Sequence, residues 1–133
     1  MDEERLGLWP DGGGFRLFVY GTLLRGESNH SLLGHARFVG ETATQPGYRL
    51  VDVGGYPGMF TDGEEVVVGE LFEVDGATLE AVDELEGHPD YYRRIRIPLA
   101  DRSEAWAYLL PPSAATEYPA IEGGDWRTFR RKA

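Results

Sequence analysis

Two stretches of this chain carry residue types at spacings suited to chemistry. The first holds an acid in apolar company. Residues 75–86 read as the one convincing helix, opened by Asp75 as N-cap and stopped by Gly87 and Pro89. At about 100° per residue, Leu79, Val82 and Leu85 form an apolar stripe, and Glu86, two turns after Leu79, falls within it. Glu80 and Glu84 point elsewhere. A carboxylate on a buried face at a helix C-terminus has no help from the helix dipole, and desolvation also opposes its charge. Its pKa should therefore move upward, which suits a general acid or base. The competing reading puts Glu86 at a fraying end, turned to solvent or tied structurally to Arg93 or Arg94.

The second stretch is residues 15–24, Phe-Arg-Leu-Phe-Val-Tyr-Gly-Thr-Leu-Leu. Its first half is apolar, aromatic and β-branched, the pattern of a buried strand. A strand that stops at Tyr20-Gly21-Thr22 leaves backbone N–H groups pointing out of its end, where they can hold an anion such as a carboxylate. The alternative is a strand followed by an ordinary glycine turn.

Other chemistries lack their residues. The single lysine, Lys132, is at the end of the sequence, and there is no cysteine. His30, His35 and His88 form no His-x-x-x-His or His-x-His pair, and no serine sits in a Gly-x-Ser-x-Gly turn. Metal hydrolysis and Ser or Cys acyl transfer are disfavoured, which leaves a carboxylate as the base and no expected metal or cofactor. A net charge of −10 argues against a nucleic-acid partner, because phosphate binding rests on clustered cations. No apolar run has the length of a bilayer span, and the acidic start Met1-Asp2-Glu3-Glu4-Arg5 is unlike a secretory signal. The expectation is a cytoplasmic protein that does not engage membranes.

The elements that must position these residues follow from periodicity and punctuation. With 133 residues the chain has the size of one domain. Residues 1–14, ending in Asp11-Gly12-Gly13-Gly14, read as a flexible leader before a domain over 15–133. Those glycines precede the first strand, so they are no dinucleotide fingerprint. A short helix over 29–33 closed by Gly34 precedes strands over 36–43 and 48–53, a glycine-rich loop at 54–58, an extended run at Met59-Phe60 and a turn at Asp62-Gly63. The strongest strand is 66–74, where Gly69 signals a bulge or close backbone contact. Strands at 92–99 and 104–110 follow the helix, and the tail after Pro111-Pro112 reads as loop. Trp106 and Tyr108 read as core filling. Many short strands around one helix indicate an α+β fold, a small mixed, largely antiparallel β-barrel with flanking short helices.

In chain order, Val19-Tyr20-Gly21-Thr22-Leu23, Gly55-Tyr56-Pro57-Gly58, Val82-Asp83-Glu84-Leu85-Glu86-Gly87 with Tyr92-Arg93-Arg94, and Ala105-Trp106-Ala107-Tyr108 resemble the motifs of the γ-glutamylcyclotransferase-like family. Gly124-Asp125-Trp126-Arg127 is similar to the ending of its small bacterial members. The resemblance implies a mixed β-barrel and a cofactor-free lyase or aminoacyl transferase. The α-amine of a γ-glutamyl amide would attack its own γ-carbonyl, giving 5-oxoproline and a free amine. It implies that Tyr20, Gly21, Thr22 and Leu23 form the substrate-binding loop, that Glu86 is the acid/base, and that Tyr92 and Tyr118 line the pocket. The partner is then a small γ-glutamyl molecule. The alternatives are a non-catalytic small-carboxylate binding module of the same fold and a γ-glutamyl hydrolase. The leaving amine and the oligomeric state stay open, with the acidic balance favouring a cationic leaving group through long-range steering.

Overall fold

The computed structural model describes residues 14–114 and 118–132. The first strand, β1 (Phe15–Val19), lies at the centre of a five-stranded sheet, and only Arg16 of its five residues escapes full burial. Both faces of a central strand are covered, which explains a continuous apolar run in place of alternation. β1 pairs antiparallel with β5 (Val68–Val74) and parallel with β7 (Glu104–Leu109). β2 (Arg37–Ala43) and β6 (Arg93–Pro98) form the edges, giving the order β2-β5-β1-β7-β6. A second sheet runs β4-β3-β8, with β3 spanning Tyr48–Asp52, β4 Pro57–Glu65 and β8 Ala120–Ile121.

The barrel expected from the sequence does not form among the described residues. The first sheet is curled, and an isolated bridge between Thr44 and Leu99 draws its edge strands together at one end. No ladder joins β2 to β6, and the second sheet stays separate, so the fold is mixed α+β with open sheets. Closure depends on how far strands stagger against one another, a non-local quantity that turn spacing does not encode.

The helix α1 (Gly76–Glu86) matches its sequence signature. Asp75 Oδ1 accepts from the Thr78 amide at 2.7 Å, satisfying one orphan donor of the first turn. At the other end Gly87 adopts φ 69°, the Gly87 amide donates to Glu84 O at 3.2 Å, and the His88 amide donates to Asp83 O at 2.9 Å. This Schellman arrangement fixes where the helix stops and therefore where Glu86 stands. Leu79 and Val82 are buried as expected, but Leu85 is 43% exposed. Around the helix Glu86 lies within about 20° of Leu79, whereas Leu85 is about 120° away and leaves the buried face.

The tail differs from its reading as loop, for Trp126–Lys132 forms a second helix, α2. Asp125 supplies its local signal, accepting from the Thr128 amide at 3.3 Å and the Thr128 hydroxyl at 3.0 Å. The short helix over 29–33 is a 3-10 turn, His30–Leu33. Met59 and Phe60 belong to β4, which continues through Asp62 and Gly63. The leader over 1–14 lies outside the described residues except for Gly14. Among the described residues no helix is long and apolar enough to cross a membrane.

Gly69 has the close backbone contact its position signals. A Cβ there would collide with the Val19 carbonyl oxygen and come within 2.8 Å of the Phe18 ring. Gly69→Ala should therefore push β5 away from β1 and cost about 2 kcal/mol, the scale of an overpacked core. Urea unfolding of the variant measures this, and an unchanged midpoint would contradict it.

Candidate active site

The chain leaves β1 at Tyr20 and turns sharply at Gly21, over which Pro57 lies so closely that a Cβ would be 2.6 Å from its Cγ. The turn is internally braced. The Leu24 amide donates to Gly21 O at 3.0 Å, the Asn29 amide to Thr22 O at 2.9 Å, and Asn29 Nδ2 to Thr22 Oγ1 at 3.0 Å. Among the described residues, the amides of Gly21, Thr22 and Leu23 themselves donate to no protein acceptor. Three successive unused donors at a strand end form a ready anion or carbonyl site.

Beyond the turn the loop is anchored by Glu70 on β5, 1% exposed. Its carboxylate accepts from the Arg25 amide at 2.8 Å, Arg25 Nε at 3.1 Å and Arg127 Nη1 of α2 at 3.2 Å. A carboxylate this buried is tolerated because it is paired and hydrogen-bonded on both oxygens. The sequence reading passed over Glu70, although an acid inside the apolar run around Val68 and Leu71 was the available signal.

Glu86 reaches the same place from the end of α1. Tyr20, Gly21, Thr22, Leu23, Glu86 and Tyr92, six of the seven site residues picked from sequence, line one narrow cavity of about 40 Å³. A water takes roughly 10–15 Å³ on the same measure, so the cavity admits a small polar group. Phe18, Val19, Tyr56, Pro57 and Tyr108 complete its wall. Tyr118, the seventh, does not line it. Tyr118 packs partly buried against the core, near enough to Tyr91 to influence its titration.

The tyrosines around Glu86 aim their hydroxyls elsewhere. Tyr20 donates to Tyr108 O at 2.5 Å, Tyr92 to Pro57 O at 2.6 Å, and Tyr108 to Asp83 Oδ1 at 2.6 Å. Burial, reinforced by the nearby Glu86 charge, holds the Tyr20 and Tyr92 phenols far above their ordinary range, so they stay neutral. Neither arginine that the sequence offered as a structural partner pairs with Glu86. Arg94 donates to Asp83 through Nε at 2.8 Å and Nη2 at 3.0 Å, and the exposed Arg93 makes no pair with Glu86. No hydrogen bond or ion pair joins the Glu86 carboxylate to any described residue. Desolvation acts on it uncompensated and pushes its pKa from 4.5 to about 7.

Comparison with known proteins is consistent with this geometry. A family model described as "Gamma-glutamyl cyclotransferase, AIG2-like" matches residues 17–128. The chain is 46% identical over 124 residues to the gamma-L-glutamyl-butirosin B gamma-glutamyl cyclotransferase of Niallia circulans, covering 86% of this chain and 76% of that protein. It is 33% identical over 111 residues to the gamma-glutamylcyclotransferase family protein YtfP of Escherichia coli K12, covering 84% and 95%. The crystal structure of an AIG2-like protein from mouse superposes with a TM-score of 0.72 at 30% identity, covering 81% of this chain and 86% of that one.

The unpaired acid has a thermodynamic signature. In the unfolded chain Glu86 ionises near 4.5, and in the folded protein near 7. Between those values the folded state binds the extra proton, so stability falls as pH rises and the loss is complete above about 7. Glu86→Gln should thus be more stable than wild type by about 3 kcal/mol at pH 8 and equal to it at pH 4. Urea midpoints at the two pH values measure this, and a variant no more stable at pH 8 would show that the carboxylate is hydrated or paired.

Proposed function

The chain belongs to the AIG2-like γ-glutamyl cyclotransferase family, and from that premise we propose that it converts a γ-glutamyl amide to 5-oxoproline and a free amine, with Glu86 as general acid/base. The observation that carries the reading is a desolvated, unpaired Glu86 sharing a cavity with the free amides of Gly21, Thr22 and Leu23.

The nucleophile is the substrate's own α-amine, which is an ammonium near neutral pH. It needs a base, and a carboxylate with a pKa of about 7 accepts its proton with little penalty. The freed lone pair attacks the γ-carbon, and negative charge develops on the carbonyl oxygen. The loop amides are the donors in this cavity placed to hold substrate oxygens, either this one or the α-carboxylate, without reorganising during the reaction. Collapse breaks the bond to the leaving nitrogen. Glu86 returns to that nitrogen the proton it took, and the second proton shed by the ring nitrogen on becoming a lactam follows the same route. The amine therefore departs as an ammonium ion and the carboxylate is regenerated. Holding the flexible glutamyl chain folded back on itself supplies much of the acceleration, because the ring closure is intramolecular. The neutral tyrosine walls exclude water, which favours cyclisation over hydrolysis.

Incubation with a panel of γ-glutamyl amides should release 5-oxoproline, identified by mass spectrometry. kcat/KM should rise with pH to a plateau above about 7 as Glu86 loses its proton. Glu86→Gln should lower kcat about 10³-fold while 5-oxoproline still binds. Turnover surviving that substitution would remove Glu86 from its role. Release of glutamate would indicate a hydrolase, and tight binding without product would indicate a carboxylate-binding module.

A further inference from the structure

The proposed reaction gives the ending Gly124-Asp125-Trp126-Arg127 no task, although each of these residues helps to place one side chain. Gly124 adopts φ 68°, and a Cβ there would collide with the Val66 carbonyl oxygen, so glycine lets the tail lie close against the start of β5. Its own carbonyl accepts from the Val68 amide at 2.9 Å. Asp125 opens α2, and the buried Trp126 pins that helix to the core. Arg127 is thereby set against the outside of the loop that leaves β1.

We propose that Arg127 is a positioning residue for the cyclisation: carried by α2, it holds residues 21–27 in the shape that presents the Gly21, Thr22 and Leu23 amides to the substrate. The proposal rests on the cyclotransferase reading and adds to it a residue that stands outside the reaction cavity.

The guanidinium uses each of its nitrogens on a different acceptor. Nη1 donates to Glu70 at 3.2 Å, Nη2 donates to the Arg25 carbonyl oxygen, and Nε faces Glu27 at 3.5 Å. Arg130 pairs with the same Glu27 at 2.7 Å. Arg25 and Glu27 belong to the loop itself, and Glu70 accepts from the Arg25 amide at 2.8 Å. From this grip, hydrogen-bonded turns lead back to the free amides. The Glu27 amide donates to Leu24 O at 3.0 Å, the Leu24 amide to Gly21 O at 3.0 Å, and the Asn29 amide to Thr22 O at 2.9 Å.

A planar fork engaged at every nitrogen fixes both distance and direction, whereas a lysine would supply the charge through a single point. Such placement matters to rate, because a misplacement of about 1 Å near a reacting centre can cost about 10²-fold. Removal of Arg127 leaves no acid orphaned. Glu70 keeps the Arg25 amide and Nε, and Glu27 keeps Arg130. The truncated protein should therefore fold, with its loop loosened.

Arg127→Ala tests the assignment through the loop and through the reaction. Native-state amide exchange, followed by NMR, should quicken about ten-fold at Leu24 and Asn29 while the amides of β1 and β5 stay unchanged. The kcat/KM for γ-glutamyl amides should fall about 30-fold. Its pH midpoint should remain near 7, because Glu86 is untouched. Binding of 5-oxoproline should weaken about five-fold, since its oxygens rely on the same amides. Arg127 also lines a cavity of about 470 Å³ walled by β2, β5 and α2, through which a small cation can reach the space it vacates. Millimolar guanidinium chloride should accordingly restore part of the variant's activity where sodium chloride does not. Arg131→Ala removes an exposed arginine of the same helix that pairs with no described residue, and should change none of these readouts. Faster exchange spread evenly over β1 and β5 would reduce Arg127 to a structural role and overturn the proposal. Unchanged exchange at Leu24 and Asn29 would overturn it as well, as would full kcat/KM in a variant whose loop is loosened. A loosened loop and weakened 5-oxoproline binding, in a protein whose wild type turns over no γ-glutamyl amide, would uphold the placement of the loop by Arg127 and count against the cyclotransferase reading alone.

Discussion

The site depends on a carboxylate withdrawn from water and given no partner, Glu86 at the end of α1. Asp83 stands three residues before it on the same helix and takes a bidentate pair from Arg94 of β6. The register of β6 against β7 puts Arg94 directly opposite Tyr108, and Tyr108 donates its hydroxyl to the same Asp83. Cross-strand neighbours share a face, so both donors converge on Asp83. Arg–carboxylate pairs of this two-pronged geometry are directional and strong, which commits the guanidinium to Asp83.

A second constraint works from the opposite wall. Glu70 is more deeply buried than Glu86, yet both its oxygens are satisfied by Arg25 and Arg127. Among the described residues there is therefore one fully buried acid, with partners, and one partly buried acid without. The first holds the loop that presents the amides of residues 21–23, and α2 contributes to that hold through Arg127. The second lines the same cavity as those amides. Leaving a carboxylate unpaired is unfavourable for folding, and such local conflicts persist where function requires them.

Much of this was legible in the residues. The capping of α1 by Asp75, the stop at Gly87, the buried first strand and the close approach at Gly69 all rest on local rules of dihedral preference and periodicity. The position of Glu86 beside Leu79 follows from helix geometry, and the free amides after Tyr20 follow from a strand that ends at a glycine. What escaped was non-local. Openness of the sheets, the pairing of Arg94 with Asp83, and the anchoring of the loop by Glu70 depend on which strands meet and in what register. Tyr108 read as core filling because alternation says which face a residue occupies and not what its hydroxyl will find. Helix α2 carried a local signal in Asp125 and Thr128, masked by the surrounding glycines.

Titration of the Glu86 side-chain carboxyl carbon by NMR, with assignment from the Glu86→Gln spectrum, examines the unpaired acid directly. A midpoint near 7, moving when 5-oxoproline is added, is the result expected of a desolvated carboxylate facing the ligand cavity. A midpoint near 4.5 that ignores the ligand would mean that Glu86 is solvated or paired, and the account of the site would fail with it.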